Sequence, residues 1–463
     1  MATLQFQARQ EEVATMPPAA LNAHARMLDT LERTTALVLA GGHGKRLRPL
    51  TERRAKPALH FGGIYRVIDF ALSNCVNSGL TRVGVLTQYL PHDLHQHLGG
   101  GSPWGFHAPG AVLTVLQPYV TDESSNWYQG SADAVHRNLD RLVSPGTSAV
   151  VILASDQVYA MDYREMLATH LEADADVTVS VADVPLHEAS RYGLVTTDAT
   201  GRVVRFEEKP ERPRSTLASM GIYVFNPDYL VRALDADAQD EDSAHDFGGN
   251  ILPRAIADGG RVYAHRFRGY WRDIGTVESY WKSHMDLLDE PSRVPLRMPG
   301  REILTRIDAQ PPAMIAGSAA VQQAFVSPGA TIRGTVRNSV LSPGVVVEPG
   351  ALVHDSVLLP GVRVGAGAFV HRAVVDQNAV IGVAARVGDR WFETPDREVA
   401  EPRVTVIGES SWIPDGSVVE PSDIVAPFSG RNSSPPTVTA LDARDGGRPR
   451  GAERRALTTI PGR

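Results

Sequence analysis

A 17-residue repeat in the second half of the chain is the feature that most restricts its fold. Residues 339–355 (SVLSPGVVVEPGALVHD) are followed by residues 356–372 (SVLLPGVRVGAGAFVHR) and by residues 373–389 (AVVDQNAVIGVAARVGD). β-Branched residues recur in three phases, which are Val340, Val357 and Val374; Val347, Val364 and Ile381; and Val353, Val370 and Val387. Three such positions per copy, with Gly or Pro turns between them, predict a triangular parallel β-helix. The alternation and hairpin turns of a β-sandwich are missing from this pattern.

The first half alternates short apolar segments with helical periodicity. Residues 34–40, 82–87, 149–154 and 177–181 are β-branched and nearly continuously apolar, which is typical of buried parallel strands. After Gly62 and Gly63 the apolar spacing is helical, at Ile64, Val67, Ile68, Ala71, Leu72 and Cys75. This half is therefore predicted to be an α/β domain with a largely parallel sheet, in which Cys75 fills the core.

The length of 463 residues suits two or three domains. We expect a lead-in over residues 1–33, the α/β domain over 34–290, a linker over 291–313, the β-helix over 314–427 and a tail over 428–463. The tail is rich in Gly, Pro and Arg and has almost no large apolar residues, so it is predicted to be disordered.

Composition excludes several classes of protein. Lys and Arg number 46 against 53 Asp and Glu, and the net charge of -7 predicts neither nucleic acid nor an anionic membrane as partner. Cys75 is the only cysteine and cannot form an intramolecular disulfide, which favours a reducing compartment. The chain has no apolar run of about 20 residues and no signal-peptide order at its start. We therefore expect a cytoplasmic protein.

A glycine-rich loop follows the first predicted strand, within LVLAGGHGKRLRPL (residues 37–50). Its glycines are Gly41, Gly42 and Gly44, and the cations Lys45, Arg46 and Arg48 come directly after them. Backbone N–H groups exposed by glycine bind phosphate, although a tight turn uses the same residues. Leu47 stands where a dinucleotide fingerprint needs its last glycine, and no Walker sequence closes the loop. Lys56 adds a further cation, unless it is an ordinary solvated lysine.

Two carboxylates are candidate ligands of Mg²⁺. Asp156 follows an apolar strand, at the sheet edge where α/β proteins bind ligands, and Asp273 lies in the loop GYWRDIGT. Mg²⁺ usually takes one or two protein carboxylates together with water and phosphate oxygens. Capping of a turn or a helix is the alternative role for each aspartate.

At these motifs the sequence closely resembles the ADP-glucose pyrophosphorylases (glucose-1-phosphate adenylyltransferases), a family of sugar nucleotidyltransferases. The resemblance covers residues 35 to about 420 and is carried by AGGHGKRLRPLT, RAKPALHFGGIYRVIDFALSNCVNSG, NWYQGSADAV, RFEEKP, LASMGIYVF, HDFG and YWRDIGTVESYW. It implies a Rossmann-like nucleotidyltransferase domain followed by a left-handed β-helix. It also implies that ATP and glucose 1-phosphate react, with Mg²⁺, to ADP-glucose and diphosphate, which supplies glycogen or α-glucan synthesis.

The resemblance also implies a role for individual residues. It assigns catalysis to Arg46, Lys56 and Asp156; nucleotide binding to Gly41, Gly42, Gly44, Tyr128, Gly130, Ser131 and Asp133; glucose 1-phosphate binding to Gly193, Glu208, Lys209 and Ser219; Mg²⁺ to Asp156 and Asp273; and regulation to Arg53, Gln88 and Trp127. It further implies phosphorylated or carboxylate metabolites as effectors, and a homotetramer.

Three departures from the family pattern keep other functions open. His43, Ser155 and Gln157 stand where the family usually has Arg or Glu, Gly and His. A pyrophosphorylase for another nucleotide or hexose and a weakly catalytic regulatory subunit are two alternatives. An acyltransferase is the third, because hexapeptide β-helices often have that activity. His354 and His371, which recur with the repeat, would be its candidate residues, or else solvent-facing edge residues.

Overall fold

The computed structural model describes residues 18–119, 127–289, 296, 300–388, 404–430 and 438–440. Its α-helices are α1 Pro18–Glu32, α2 Ile68–Asn77, α3 His92–Leu98, α4 Ser131–His136, α5 Leu139–Leu142, α6 Tyr163–Glu172, α7 Leu186–Ala189, α8 Pro227–Ala238, α9 Leu252–Ala257 and α10 Val277–Asp289. Short 3-10 turns lie at Lys45–Leu47, Lys56–Ala58 and Ser102–Trp104, and a π-turn at Phe247–Ile251. No helix in the described ranges is long and apolar enough to cross a membrane.

The α/β domain is built on one large mixed sheet. Its strands are β1 Thr34–Ala40, β2 His60–Phe61, β3 Tyr65–Arg66, β4 Arg82–Thr87, β5 Val112–Leu116, β6 Ala149–Ala154, β7 Gln157–Tyr159, β8 Val177–Asp183, β9 Gly193–Thr197, β10 Val203–Glu208, β11 Leu217–Phe225, β12 Val262–Arg266 and β13 Trp271–Asp273. The strand order is β10-β9-β11-β6-β1-β4-β5; in addition, β8 pairs with β11, and β12 pairs with β8. Strands β1, β4, β6 and β8 confirm the four predicted segments.

Only part of this sheet is parallel, which corrects the prediction of a largely parallel sheet. Strands β5, β4, β1 and β6 run parallel, whereas β11 runs antiparallel to β6, β8 and β9. Strands β9 and β10 pair as a hairpin through residues 198–202. Antiparallel strands can be joined by such short connections, whereas a parallel pair needs a long crossover. The apolar composition of β11 does not reveal this difference in direction.

The predicted helix after Gly63 begins later than expected. Gly62 and Gly63, with φ of +55° and +90°, form the turn of a β2–β3 hairpin, and α2 begins only at Ile68. The left-handed backbone of this turn favours glycine. Cys75 is fully buried in the core, as predicted, and burial raises the pKa of its thiol.

The second domain is a parallel β-helix, as the repeat predicted. Its strands are β14 Met314–Ile315, β15 Ala320–Val326, β16 Thr331–Ile332, β17 Thr335–Leu341, β18 Val346–Val347, β19 Leu352–His354, β20 Val357–Leu358, β21 Arg363–Val364, β22 Phe369–His371, β23 Ala373–Val375, β24 Val380–Ile381, β25 Arg386–Gly388, β26 Thr405–Ile407, β27 Trp412–Ile413, β28 Val418–Val419, β29 Asp423–Val425 and β30 Val438–Ala440. All are parallel to their neighbours except β30, which pairs antiparallel with β29.

The three valine phases of the repeat stack in register. Val340 pairs with Val357 and Val357 with Val374, and the other two phases do the same along their own faces. From Val374 to its partner Val406 the spacing is 32 residues instead of 17. The 15 additional residues correspond in number to residues 389–403, which lie outside the described residues. Of the predicted disordered tail, only residues 428–430 and 438–440 are described.

The two domains meet through a shared apolar core and a few polar contacts. Tyr280 and Trp281 of α10 belong to the same buried cluster as Val340 and Val357 of the β-helix. The indole Nε1 of Trp281 donates to the backbone oxygen of Asp355 at 2.7 Å. The same cluster contains Leu47 and Leu50, which precede Lys56 in the chain.

Candidate active site

Most of the predicted site residues converge on one cleft at the carboxyl ends of β1 and β6. The cleft has a volume of about 610 Å³. The predicted residues that line it are Gly41, Gly42, Arg46, Lys56, Gln88, Tyr128, Gly130, Ser131, Asp156, Gly193, Glu208, Lys209, Ser219 and Asp273. Gly44, Arg53, Trp127 and Asp133 are predicted site residues that are not among its lining residues.

A lysine bridges the two aspartates predicted to bind metal. Lys56 Nζ lies 2.8 Å from Asp156 Oδ2 and 3.2 Å from Asp273 Oδ1. Asp156 stands between β6 and β7, and Asp273 ends β13, which pairs with β7. Two residues 117 positions apart in sequence thus share one ammonium group.

The charges of this trio stabilise one another. Burial would lower the pKa of Lys56, but Asp156 and Asp273 leave it raised. Burial would likewise raise the pKa of Asp156, but the charge and hydrogen bond of Lys56 leave it lowered. The lysine is therefore cationic and Asp156 is ionised at neutral pH, because each charged form has an opposite charge within hydrogen-bond distance.

The donor set fits a divalent cation with oxygen ligands. Two carboxylates already converge on one positive charge, and the side chain of Asp156 keeps 40% of its surface exposed. A Cβ added to Gly275 would lie 2.6 Å from Asp273 Oδ2 and 3.0 Å from Arg46 Nη2. Gly275 therefore allows the backbone to pass close to both groups, a role that sequence reasoning missed although the glycine stands in the RDIGT motif.

Gln157, on β7 next to Asp156, connects β7 and β13 to β11. Its Oε1 accepts from Trp271 Nε1 at 2.9 Å, and its Nε2 donates to the backbone oxygen of Met220. The side chain is 6% exposed and lies between β7, β13 and β11. The sequence revealed Gln157 only as a departure from the family. Its neighbour Ser155 donates its hydroxyl to the oxygen of Leu39 at 2.6 Å, which ties β6 to β1.

The glycines of the first loop have different environments. A Cβ at Gly42 would meet no atom within 4 Å, so its backbone is open to the cleft. Gly44 has φ +59°, and a Cβ there would lie 3.0 Å from Thr51 Cγ2. The Thr51 hydroxyl donates to the Gly44 oxygen at 2.7 Å. Gly44 therefore shapes the loop and does not line the cleft. His43 stacks on Tyr89 at 4.3 Å between ring centroids.

The segment after residue 127 forms a second wall. The side-chain amide of Gln88 pairs with the backbone of Tyr128, at 3.1 and 3.2 Å. A Cβ at Gly130 would lie 2.2 Å from the His245 oxygen, so glycine is required there. Asp133 accepts from Gln129 N and Arg137 Nε and stabilises its own segment.

The HDFG motif packs against this second wall through a hydrogen bond between Asp246 and Ser131. Ser131 Oγ donates to Asp246 Oδ1 at 2.8 Å, and Asp246 Oδ2 accepts from the backbone N–H groups of Gly248 and Gly249. A Cβ at Gly248 would lie 2.9 Å from Glu208 Oε2. The motif was visible in the sequence, but nothing in it indicated that Asp246 orients Ser131.

The third wall carries Glu208 and Lys209 at the end of β10. Gly193 pairs with Glu208 across the hairpin, and a Cβ at Gly193 would lie 2.8 Å from Glu208 Oε2. Lys209 has φ +45°, and its ammonium pairs with Glu208. Ser219 Oγ accepts from Gly221 N at 3.3 Å on the facing strand β11. Because Gly193 has no side chain, the space beside Glu208 and Lys209 stays open.

Arg191 is a cation of this wall that sequence reasoning missed. It lines the cleft, and its Nη2 is buried with no hydrogen-bond partner among the described residues. An unsatisfied buried donor costs about 1–3 kcal/mol, and more for a charged group. The only signal in the sequence is its position two residues before Gly193.

The predicted regulatory residues are not together. The Arg53 side chain is 60% exposed; its Nε lies 3.7 Å from Glu409 Oε2 and its guanidinium lies 4.8 Å from the ring centroid of Phe428. Trp127 is 66% exposed. Gln88, by contrast, lies in the cleft beside Tyr128.

Comparisons with known proteins agree with this architecture. Residues 35–290 match the nucleotidyl transferase family model, and residues 311–419 match the GlmU-like C-terminal hexapeptide model, which agrees with the expected left-handed β-helix. The chain is 48% identical to the glucose-1-phosphate adenylyltransferase of Thermotoga maritima over 389 residues, 83% of this chain and 92% of that protein. It is 42% identical to the enzyme of the same name from Acetivibrio thermocellus over 395 residues, 85% of this chain and 93% of that protein.

Proposed function

This chain belongs to the glucose-1-phosphate adenylyltransferase family of nucleotidyltransferases, and we propose that it joins ATP and glucose 1-phosphate to give ADP-glucose and diphosphate. The observation that carries the proposal is the Lys56–Asp156–Asp273 trio between a glycine loop and a basic wall. Both substrates are anionic. Their phosphates need positive charge and N–H donors around them, and the glycine loop, Lys56 and the basic wall supply these groups. The product would supply α-glucan synthesis.

The glycine loop and the second wall form the proposed ATP side. Gly41, Gly42 and Arg46 line the cleft together, and a Cβ at Gly42 would meet no atom within 4 Å. Backbone N–H groups and a guanidinium are therefore available to a triphosphate. Tyr128, Gly130 and Ser131 bound the space next to this loop. Gly44 and Asp133 act there indirectly, through the shape of their own segments.

The wall of Lys209 and Arg191 forms the proposed glucose 1-phosphate side. Lys209 binds the phosphate, and the Arg191 guanidinium adds a second positive charge to the same wall. Glu208 and Ser219 supply acceptors and a hydroxyl for sugar hydroxyl groups. Gly193 leaves the space for the ring, because a Cβ there would collide with Phe206 and Glu208.

The chemistry needs no general base. A phosphate monoester has a second pKa near 6, so its oxygen is largely ionised at pH 7 and can attack the α-phosphorus directly. Repulsion is the obstacle, since two unit charges 4 Å apart cost about 1 kcal/mol in water and about 4 kcal/mol at an effective dielectric of 20. Arg46, Lys56 and Lys209 offset this repulsion and hold the two phosphates in line.

Asp156 and Asp273 are the proposed ligands of Mg²⁺. When bound there, the ion would neutralise charge on the phosphate oxygens and on the departing diphosphate. Lys56, which bridges the two carboxylates, lies within the same cleft as Arg46 and is available to the diphosphate.

We further propose that Arg53, Trp127 and Gln88 take part in regulation. Arg53 is exposed at the domain boundary next to Glu409, where a phosphorylated or carboxylate effector could compete for its charge. Trp127 has an exposed ring, and Gln88 holds the backbone of Tyr128. Through these two residues, Trp127 and Gln88, the binding of an effector could reach the ATP side. Arg53→Ala should reduce the fold-activation by phosphorylated sugars.

We propose a cytoplasmic homotetramer. Sedimentation of the purified protein measures its size.

The test is diphosphate release with glucose 1-phosphate, Mg²⁺ and each of ATP, UTP, GTP and dTTP. We expect activity with ATP that falls at least a hundredfold in Asp156→Asn. Asp198→Asn, the same change in the exposed β9–β10 turn, is the control and should keep its activity. A folded protein that releases diphosphate from another nucleotide, or from none, would contradict the proposal.

A further inference from the structure

Two histidines and an aspartate form a compact cluster on one edge of the β-helix. His354 ends β19 and pairs in register with His371 at the end of β22, so their rings stack with centroids 5.1 Å apart. Asp355 Oδ2 lies 3.5 Å from His354 Nδ1 and 3.4 Å from His371 Nε2. One ligand atom from each residue thus lies within 4.8 Å of the other two.

We propose that His354, Asp355 and His371 bind a divalent transition-metal ion of the zinc class, at a site distinct from the catalytic cleft. Bonds of about 2.0–2.1 Å in a tetrahedral site place the ligand atoms about 3.3–3.5 Å apart. Both distances to Asp355 Oδ2, 3.5 and 3.4 Å, match that spacing. Two imidazoles with one carboxylate select Zn²⁺, Co²⁺ or Ni²⁺ over Mg²⁺, which prefers oxygen ligands.

The surroundings hold the ligands in binding-competent forms. Asn338 Nδ2 donates to Asp355 Oδ1 at 2.7 Å, so that Oδ2 is the oxygen that faces the histidines. The side chain of His354 is 21% exposed and that of Asp355 17%, so the site can be reached from solvent and can take a water as a further ligand.

Two guanidinium groups oppose a cation at this place. Arg372 Nε lies 3.8 Å from Asp355 Oδ2, and Arg337 pairs in register with His354 on the preceding coil. Their charges weaken the site without removing a ligand. The proposal therefore requires that removal of the Arg372 charge tightens metal binding, an effect that an ordinary histidine–aspartate contact does not predict.

The cluster also adjoins the boundary with the α/β domain. Trp281 of α10 donates its indole N–H to the backbone oxygen of Asp355 at 2.7 Å. A paramagnetic ion held by Asp355 should quench the fluorescence of this tryptophan. The quenching provides a second readout, independent of catalysis.

The experiment is a Co²⁺ titration of the full-length protein in excess Mg²⁺, followed by visible absorption and tryptophan fluorescence. We expect one Co²⁺ per chain, displaced by Zn²⁺, with quenching that disappears in Trp281→Phe. His354→Gln and His371→Asn should abolish the absorption, and Arg372→Gln should tighten binding about tenfold or more. Asp156→Asn, which alters the cleft instead, should bind Co²⁺ like the wild type.

Absence of the visible bands in the wild type, or their persistence in His354→Gln, would overturn the proposal. His371 is 1% exposed, and its variant could fail to fold. His354 is partly exposed, so His354→Gln decides the question if His371→Asn does not yield a folded protein. Circular dichroism and the melting temperature without metal establish which variants are folded.

Discussion

Arg54 and Asp376 form an ion pair across the boundary between the two domains, with Arg54 Nη1 2.7 Å from Asp376 Oδ1 and each side chain only 1% exposed. Glu409 Oε2 accepts from Arg54 Nη2 at 3.0 Å and completes the pair from a later coil of the β-helix. Arg54 stands two residues before Lys56. The β-helix thus supports the segment that carries a proposed catalytic lysine.

Asp376→Asn should lower the free energy of unfolding by about 3 kcal/mol. Loss of one partner of a buried pair typically costs 3–5 kcal/mol because a buried charge is left without compensation, and Glu409 compensates part of it here. Urea denaturation of the full chain measures the change. Asp308→Asn, at a side chain that is 81% exposed, is the control. A change of less than about 0.5 kcal/mol, the size expected of an ordinary surface substitution, would mean that the pair does not contribute to stability.

Gln157→Leu should reduce kcat/KM by about 10- to 100-fold, the range seen when residues that orient metal ligands are replaced. The leucine leaves Trp271 Nε1 and the Met220 oxygen without their partner, and the segment next to Asp156 loses its side-chain hydrogen bond to β11. Gln157→His should retain more activity, since an imidazole has one donor and one acceptor. Steady-state kinetics with varied Mg²⁺ tests this order, and equal activity of the two variants would refute the positioning role.

Arg191→Ala should raise the KM for glucose 1-phosphate about tenfold or more and leave the KM for ATP nearly unchanged. A hydrogen bond between charged groups contributes about 1.5–3 kcal/mol, and 1.4 kcal/mol corresponds to a factor of ten. Arg205→Ala, at a half-exposed arginine of β10, is the matched control. If the KM for ATP rose instead, Arg191 would belong to the nucleotide side.

Acid should destabilise the fold through His284. Its Nδ1 donates to the Tyr280 oxygen at 2.8 Å, its Nε2 accepts from Gly62 N at 3.2 Å, and burial lowers its pKa to about 4. An unfolded histidine has a pKa near 6.5, so the unfolded chain takes up the proton first as the pH falls. The contribution of His284 to the free energy of unfolding is therefore fully present above about pH 6.5. It decreases as the pH falls to about 4, by up to about 3 kcal/mol.

Urea denaturation between pH 7 and pH 4 measures this loss, and His284→Gln should show a flatter dependence on pH. His187→Gln changes a histidine that is 79% exposed and should retain the wild-type slope. If His284→Gln has the slope of the wild type, the proton uptake arises from other groups. His170, whose pKa burial also lowers to about 4, would then be the next candidate.

The β-helix could be predicted almost to the residue because its contacts are periodic. Val340, Val357 and Val374 were assigned to one phase by a spacing of 17 and stack directly. The α/β domain lacks this regularity. Its individual strands could be found from their composition, but the antiparallel direction of β11 depends on which strand it meets, and composition does not encode that.

Site residues that belong to a sequence motif could be predicted. Site residues whose role depends on tertiary packing could not. Gly41, Arg46 and Asp156 stand next to strand ends and were identified from the sequence. Gln157 and Arg191 are ordinary in the sequence. The role of Gln157 depends on partners more than 60 residues away, and the burial of Arg191 Nη2 depends on how the wall packs.

The sequence by itself determined the two domains, the coil period and the residue types that can hold phosphate and a divalent ion, since these depend on local spacing and side-chain chemistry. Only the tertiary structure decided which of those groups meet. Lys56 reaches both Asp156 and Asp273, and His354 reaches His371, because strand pairing brings distant positions to within a few ångströms. Electrostatic and hydrogen-bond energies depend on these separations, which no local pattern specifies.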